Sequence, residues 1–169
     1  MIEFGDIYDK ERNRTGRLHR RGTPWQKGEY GLVVCVWVYN GRGQVLLTRR
    51  APEKSFAGTW ENSGGAAQAG EDSLQAIVRE LAEETGIQAA PEEFALLCSG
   101  RDRTCFYDFY CLKRDIPIGD IVLQPGETDG AMWVTAGQIR ELIQQGKICS
   151  IIAKQYLHQE PLLMERNIL

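Results

Sequence analysis

The sequence is poor in the residues on which zinc and redox sites are usually built. It has only two histidines, His19 and His158, which lie far apart in the chain. Its five cysteines are scattered, odd in number and without C-x-x-C spacing: Cys35, Cys98, Cys105, Cys111 and Cys149. This pattern argues against a zinc site and predicts reduced thiols in a cytoplasmic protein. Any metal ion would have to be held by oxygen ligands.

Long apolar runs and an excess of positive charge are missing as well. The longest apolar run, Gly31–Tyr39, is too short to span a membrane. Residues Met1–Asp6 have neither the basic nor the apolar region of a secretory signal. The chain has 20 lysines and arginines against 23 acidic residues, a net charge of −3. We therefore expect no membrane segment, and no nucleic-acid partner drawn by overall charge.

The length of 169 residues fits one domain of ordinary size, so we predict a single domain over residues 1–169. Hydrophobic periodicity predicts an α/β (α+β) fold in which a mixed sheet lies between helices. The predicted strands are Ile2–Tyr8 and Leu18–Arg21 (an N-terminal hairpin over about residues 1–22), a central Gly31–Tyr39 with its partner Gln44–Arg49, then Phe94–Ser99, Phe106–Lys113 and Ala131–Val134. The predicted helices are Glu71–Thr85, Thr135–Gln145 and Ser150–Gln159, and the predicted loops include Ala51–Trp60 and Gln124–Gly130.

The first predicted helix carries an unusual acidic face. Asp72 and Gln75 have the spacing of a capping box, which would fix the start of the helix. At 3.6 residues per turn, Glu80, Glu83 and Glu84 share an arc of about 100° directly beside the apolar stripe. Three like charges on one arc repel each other unless cations compensate them. Spacing alone leaves two interpretations open: a solvated acidic face, or oxygen ligands for Mg²⁺.

The segment around this helix contains a complete sequence motif. Every defined position of the pattern G-x5-E-x7-R-E-U-x-E-E-x-G-U, with U a bulky aliphatic residue, is filled by Gly65, Glu71, Arg79-Glu80-Leu81, Glu83-Glu84 and Gly86-Ile87. This pattern is the Nudix box, and the chain resembles the Nudix hydrolase superfamily over Gly65–Ile87. Outside the box, Asp6–Gly22, Gly31–Arg50 and Trp133-Val134 resemble the subfamily close to isopentenyl-diphosphate isomerase.

The resemblance implies a Nudix α/β/α sandwich and a hydrolase that depends on Mg²⁺ or Mn²⁺. Its substrate would be a small-molecule diphosphate, a nucleoside diphosphate linked to another group, cleaved by attack of water at phosphorus. The metal ligands carried over are Gly65, Glu80, Glu83 and Glu84, and the catalytic candidates within the box are Glu80 and Glu84. Glu71 and Arg79 would support them, with Arg79 orienting a box glutamate through an ion pair.

Residues outside the box supply further candidates. Many members of the family take the base or an extra ligand from a loop, and here Glu127 and Asp129 precede Trp133 in that position. The general base is therefore left open between Glu80 and these two acids, with Glu127 as the loop's catalytic candidate. For substrate binding, strand alternation allows only one of Arg49 and Arg50 to point toward the site, and we choose Arg50. We also predict Trp60, which could stack on a base or pin its own loop to the core.

Two other functions must be weighed against hydrolysis. The first is isomerisation of isopentenyl diphosphate, because the flanking sequence resembles that subfamily. Those isomerases use a cysteine and a metal-ligating histidine, and neither residue type occurs from Ala51 through Leu97. The second is a non-catalytic nucleotide-binding module, which usually lacks one or more box glutamates, whereas all of them are present here. Hydrolysis is therefore the favoured prediction.

The C-terminal run Pro161–Leu169 is apolar for the end of a chain. Two interpretations are open: it packs on its own domain, or it forms a homodimer contact.

Overall fold

Nine strands and three helices make up residues 3–169, the part of the chain that this computed structural model describes. The strands are β1 (Phe4–Tyr8), β2 (Arg14–Arg20), β3 (Gly31–Tyr39), β4 (Val45–Arg50), β5 (Trp60–Glu61), β6 (Ser63–Ala66), β7 (Ala95–Arg101), β8 (Cys105–Lys113) and β9 (Thr128–Val134). The helices are α1 (Ser73–Thr85), α2 (Ala136–Gln144) and α3 (Ser150–Glu165), and Pro91–Glu93 and Ile118–Asp120 form short 3-10 turns.

Strand β3 is the centre of a mixed seven-stranded sheet. The order is β5-β4-β3-β8-β7, with β6 also paired to β3 and β9 to β4. β3 and β8 run parallel from Gly31↔Cys105 to Tyr39↔Lys113, and the other pairs are antiparallel. β1 and β2 form a separate two-stranded hairpin. The mixed sheet and the central position predicted for Gly31–Tyr39 are both confirmed.

The sheet has an apolar core on each face because its central strands are apolar on both sides. Successive residues of β3 alternate between the two cores. One core, which also takes α1, receives Leu32, Val34, Val36 and Val38. The other, which takes α2 and α3, receives Val33, Cys35, Trp37 and Tyr39. The predicted α/β/α sandwich is therefore confirmed.

Helix α1 ends at Thr85 as predicted and begins at Ser73, two residues after the predicted start and directly behind the predicted capping residue Asp72. The Asp72 carboxylate accepts a hydrogen bond from the Gln75 backbone N–H at 2.8 Å, and the Gln75 side chain accepts one from the Asp72 N–H at 2.9 Å. At the other end Gly86 adopts a left-handed conformation, φ 72°, which residues with a side chain rarely adopt. Ile77 and Leu81 are fully buried in the core beneath the helix. This fixes the rotation of α1 and places its acidic arc at the edge of the sheet.

The strand predicted to pair with β3 does so only at its start, which corrects the prediction. β3 and β4 are joined at Tyr39↔Val45, and the place beside Val33–Val36 is taken by β6 instead. This is sterically possible because of glycine: a Cβ on Gly64 would lie 2.2 Å from the Val34 carbonyl oxygen. The sequence analysis missed β5 and β6, which begin at the end of a predicted loop.

Other boundaries differ as well: α2 is shorter than predicted, whereas β2, β9 and α3 are longer. β2 begins at residue 14 rather than 18 and β9 at 128 rather than 131, while residue 2 of the first predicted strand lies outside the described part. Helix α3 continues past Pro161 to Glu165 rather than ending at Gln159. Leu163 and Ile168 are buried in the core beneath α2 and α3, which gives the chain a reason to continue helical there. The apolar C-terminal run therefore packs on its own chain.

A buried carboxylate connects the N-terminal hairpin to the sheet and to α1. Asp108 of β8 is 3% exposed. Arg12, in the turn of the hairpin, donates two hydrogen bonds to it, one at 3.0 Å. Ser73, at the start of α1, and Ser99 of β7 donate at 2.5 and 2.6 Å. Asp108 is thus one of the groups that hold the hairpin in place, together with the backbone hydrogen bonds between Tyr8 and Tyr30.

Of the helices in residues 3–169, none has both the length and the apolarity that crossing a bilayer requires. The cysteines are free thiols in the described structure, and Cys35, Cys111 and Cys149 are buried.

Candidate active site

Helix α1, which carries the glutamates of the Nudix box and is called the box helix below, meets the Gly64-Gly65 pair of β6, called the glycine turn below, at a cavity of about 150 Å³. We call this cavity the acidic cavity. It is surrounded by both carboxylates and cations. Its lining consists of Glu3, Arg21, Arg50, Lys54, Glu61, Gly64, Gly65, Ala66, Gln68, Arg79, Glu80, Glu83, Glu84, Gln124 and Glu127. The structure therefore brings Gly65, the three helix glutamates, Arg50 and Glu127, all of them predicted site residues, together at one place.

Glu84 is the most deeply buried acid of this cavity, with 8% of its surface exposed. Burial raises its pKa to about 8, and the charges of Glu80 and Glu61 add to the effect. The backbone N–H of Gly64 donates to its carboxylate at 3.2 Å and opposes the shift. Glu84 is therefore a group that changes protonation state close to neutral pH.

Glu80 lies directly against the glycine turn. A Cβ built on Gly65 would come within 2.4 Å of a Glu80 carboxylate oxygen, so only glycine lets the backbone approach so closely. Burial raises the pKa of Glu80; Arg79 opposes this rise and the charge of Glu83 adds to it. The site thus holds carboxylates whose negative charge is only partly compensated.

Arg79 is the compensating cation and contacts three glutamates. Its guanidinium binds both oxygens of Glu71, at 2.7 and 2.9 Å, in a bidentate ion pair. One of its nitrogens also donates to Glu80 at 3.0 Å and to Glu83 at 3.1 Å. The hydrogen bond from Arg79 lowers the pKa of Glu71, which keeps that carboxylate charged. This geometry suits the supporting roles predicted for Glu71 and Arg79.

The opposite side of the acidic cavity carries cations that are themselves paired. Arg50 donates to Glu61 at 2.5 Å, and Lys54 forms an ion pair with Glu127. Burial raises the pKa of Glu61 even though Arg50 opposes it. A phosphate entering the cavity could take either cation from its carboxylate partner, which makes both pairs exchangeable contacts.

Three predicted site residues do not line the acidic cavity: the supporting Glu71, and Asp129 and Trp60. Asp129 is bonded to Arg49 at 2.6 Å and does not line the cavity. Trp60 packs against the core beneath α2 and α3, with the Arg49 guanidinium 5.6 Å from its ring centroid. Trp60 thus fits the interpretation in which the aromatic ring pins its own segment to the core.

The sequence analysis assigned no role to Glu3, Lys54, Glu61 and Gln124 of the acidic cavity, and favoured a solvated hairpin edge over a phosphate contact for the basic patch that contains Arg21. Glu61 could have been found from one feature of the sequence, its position two residues before Ser63–Gly65, the segment that leads into the Nudix box. The others come from the hairpin and from two loops, and no local pattern shows that these segments converge.

The residues of the acidic cavity fit a hard divalent cation. The donors of the box are all oxygens, and Glu80 and Glu84 repel each other in a buried place, which a cation would relieve. Among residues 3–169, no three acidic, histidine or cysteine side chains already converge as metal ligands. In this arrangement Glu80 and Glu83 are paired with Arg79. The assignment of the ligands accordingly stays a prediction.

Fold and site together define a class of enzyme. An α/β/α sandwich whose box helix and glycine turn hold carboxylates at the sheet edge is the architecture of Nudix pyrophosphohydrolases.

Comparison with known proteins agrees with this class. The family model for the NUDIX domain matches residues 29–152, and the chain belongs to this family. An uncharacterized Nudix hydrolase of Listeria monocytogenes is 31% identical over 148 residues, which covers 86% of this chain and 88% of the relative. The crystal structure of DR0079 from Deinococcus radiodurans superposes with a TM-score of 0.78 at 24% identity, covering 93% of this chain and 99% of that one.

A more limited similarity links the chain to the isomerases. The isopentenyl-diphosphate Delta-isomerase of an Escherichia coli strain is 41% identical over 81 residues, which covers 47% of this chain and 44% of the isomerase. This match is partial, in contrast to the match with the Listeria hydrolase.

Gly64 and Gly65 lead to a prediction, because Gly64 is needed for the fold and Gly65 for the position of Glu80. In Gly64→Ala the new Cβ would meet the Val34 backbone oxygen at 2.2 Å, and backbone cannot move aside cheaply. We expect a loss of about 3 kcal/mol in unfolding free energy. In Gly65→Ala the Cβ meets the flexible end of Glu80, so stability should stay near that of the parent while hydrolysis falls about 100-fold.

Urea denaturation and a hydrolysis assay on both variants measure the two effects. Equal destabilisation of both variants, or full activity of Gly65→Ala, would contradict the assignment of separate roles.

Proposed function

We propose that the chain is a divalent-metal-dependent hydrolase that cleaves the diphosphate of a nucleoside diphosphate linked to another group, by attack of water at phosphorus. The observation that carries this proposal is the acidic cavity. It combines three box glutamates, the close-approach Gly65 and the cations Arg50 and Lys54 within about 150 Å³. Carboxylates suit the metal, and cations suit the phosphate oxygens.

The proposed metal ligands are the carboxylates of Glu80, Glu83 and Glu84 together with the Gly65 carbonyl. When bound, Mg²⁺ or Mn²⁺ supplies polarisation of the phosphorus centre and neutralises charge on the leaving oxygen. Arg79 contributes by holding Glu80 and Glu83 from one side, through contacts of 3.0 and 3.1 Å.

The proposed proton transfer belongs to the glutamates. A general base works best when its pKa is near the working pH, and burial gives Glu84 a pKa of about 8 and raises that of Glu80. Glu127 is the remaining candidate, since it lines the same cavity and its carboxylate is held by Lys54. We therefore propose Glu80, Glu84 and Glu127 as the catalytic residues. Asp129 forms an ion pair with Arg49 and is not included.

The proposed substrate contact is Arg50. Its guanidinium lines the acidic cavity and is bonded to Glu61, whose own pKa burial raises. An incoming phosphate would replace Glu61 as the partner of Arg50, and Glu61 is a carboxylate that burial already disfavours in its charged form. The exchange is inexpensive if Glu61 takes up a proton as Arg50 leaves it, and the raised pKa of Glu61 favours that uptake.

Isomerisation is less well supported than hydrolysis. The lining of the acidic cavity includes no cysteine and no histidine, and these are the residue types that move protons on carbon in the isomerases. A purely binding role is less well supported too, because every glutamate of the box is in place.

A substrate panel tests the proposal. Nucleotide sugars, dinucleoside polyphosphates, nucleoside triphosphates and isopentenyl diphosphate are incubated with Mg²⁺, with Mn²⁺ and with a chelator, in ¹⁸O-labelled water. We expect metal-dependent cleavage of at least one diphosphate and a single ¹⁸O in a phosphate product. Isomerised isopentenyl diphosphate, or no release of phosphate or nucleotide from any compound, would overturn the proposal.

A further inference from the structure

A second cavity, larger than the first, lies beneath the N-terminal hairpin. Its volume is about 280 Å³, and we call it the hairpin cavity. It is formed by the hairpin together with the start of β3, the end of β6 and the start of β8, and apolar groups dominate its walls. Pockets that bind the organic part of a small molecule are typically apolar with a few polar groups, and they start at about 300 Å³. The hairpin cavity has this character and approaches this size.

The two cavities adjoin each other. Four residues line both of them: Glu3, Arg21, Ala66 and Gln68. A molecule with a charged end in the acidic cavity could therefore extend its other end into the hairpin cavity. The hairpin lies outside residues 29–152, the part that the family model matches, whereas β3, β6 and β8, which form the other walls, lie within it.

One wall of the hairpin cavity is a flat aromatic pair. The rings of His19 and Trp25 are stacked with centroids 3.6 Å apart and planes 8° from parallel. Trp25 also lies so close to Gly31 that a Cβ there would be 2.9 Å from the indole ring. The indole is thus held by His19 on one face and by Gly31 at the edge of its six-membered ring, so the cavity is lined by a fixed aromatic pair.

Arg21 stands at the boundary between the cavities. The hydrogen bond with Glu3 raises its pKa, and the negative charges of Glu127 and Glu80 contribute to the same shift. The guanidinium is thus electrostatically coupled to the acidic cavity, although its residue belongs to the hairpin. A phosphate group that lies between the cavities would find this cation in reach.

We infer that the hairpin cavity binds the nucleobase of the substrate, with Arg21 contacting the phosphate that links the base-bearing end to the acidic cavity. This inference rests on the proposed function, which it deepens by assigning the part of the chain that selects the substrate. The base would lie against the His19–Trp25 wall, where stacking is favourable for every base.

The polar groups of the hairpin cavity favour a base over a hydrocarbon chain. Gln68, Thr23 and Thr104 line it and can bond to the edge of a heteroaromatic ring. An isoprenoid chain has no hydrogen-bonding groups for these side chains, and burying the side chains without partners would cost binding energy. The cavity therefore suits a flat ring with hydrogen-bonding edges.

A binding experiment that needs no turnover tests this inference. The four nucleoside 5′-monophosphates and ribose 5-phosphate share a phosphate and a sugar and differ in the base. Titration calorimetry on the whole chain should show at least one nucleotide binding about 10-fold or more tightly than ribose 5-phosphate. Thr104→Trp fills the cavity from an exposed position and should abolish this difference. The matched control Arg103→Trp adds the same ring next to it, outside the lining, and should keep it.

Two further variants keep the test decisive. Thr23→Trp closes the cavity from the hairpin side and should act like Thr104→Trp. Arg21→Gln should weaken nucleotides and ribose 5-phosphate by the same factor, while Arg20→Gln, at an exposed position outside both cavities, should weaken neither. Thermal unfolding verifies that each variant is folded.

The outcomes separate this inference from the proposed function. If no diphosphate is hydrolysed with metal, the proposed function fails. If diphosphates are hydrolysed but nucleotides and ribose 5-phosphate bind equally, the inference alone is overturned. Tighter binding of isopentenyl phosphate than of every nucleotide, lost in Thr104→Trp, would overturn it as well, in favour of a hydrocarbon ligand.

Discussion

Replacing Glu84 by glutamine is expected to lower the rate of metal-dependent diphosphate hydrolysis by about 10²–10⁴-fold, the range for a removed acid–base group. Glu84 is the most deeply buried acid of the acidic cavity, and it belongs to the proposed ligand set. Glutamine keeps the shape and can still accept the hydrogen bond from Gly64, but it carries no charge and takes up no proton. The measurement is kcat and kcat/KM with Mg²⁺ on the best substrate of the panel.

The same substitution should leave the fold intact. Burial raises the pKa of Glu84 because the charged form is disfavoured in the folded chain, so a neutral side chain of the same size removes an unfavourable charge. Without metal, the unfolding midpoint of Glu84→Gln at pH 8 should therefore equal or exceed that of the parent.

The matched control is Glu165→Gln, the same chemical change on an exposed residue at the end of α3. It should change neither activity nor stability. Full activity of Glu84→Gln would remove Glu84 from the catalytic set. Equal loss of activity in both variants would mean that the assay reports general charge rather than the site.

Sequence was sufficient for features whose cause is local. The cap of Asp72 and Gln75, the left-handed Gly86 and the alternating apolar faces of Gly31–Tyr39 depend on neighbours within a few residues, and the structure shows each of them. The placement of the box glutamates around one cavity followed from helix geometry, because the apolar stripe fixes how α1 is rotated.

Sequence was insufficient where distant segments meet. Glu61 and Lys54 enter the acidic cavity because β5 pairs with β4, and that pairing displaces the expected β3–β4 hairpin. The hairpin cavity depends on Trp25 stacking on His19 and packing against Gly31. Neither the β4–β5 pairing nor the packing of Trp25 produces a periodic pattern in the sequence. Both depend on how distant segments of the chain pack against the sheet.

Asp108 contributes to the position of the hairpin, and replacing it should destabilise the fold about as much as Gly64→Ala. Asp108→Asn keeps the shape but removes the charge that pairs with Arg12 across the buried boundary. Breaking a buried ion pair by removing one partner typically costs about 3 kcal/mol or more. Because Arg12 stays one-third exposed, we expect a value near that lower limit, measured as the change in unfolding free energy in urea at pH 7.

The pH dependence of the unfolding free energy shows whether the charge of Asp108 causes this stabilisation. Burial alone would raise the pKa of Asp108, but the hydrogen bonds from Arg12, Ser73 and Ser99 outweigh it, so the pKa lies below the ordinary 3.8. A lowered carboxyl pKa stabilises the fold above the unfolded pKa, and the stabilisation is lost as pH falls below about 4 toward the folded pKa. The stability difference between the parent and Asp108→Asn should therefore shrink in that range. The control Asp120→Asn, at an exposed position, should have the same unfolding free energy as the parent at every pH. If the difference in unfolding free energy between the parent and Asp108→Asn stayed constant down to pH 2, the effect would be due to packing and not to charge.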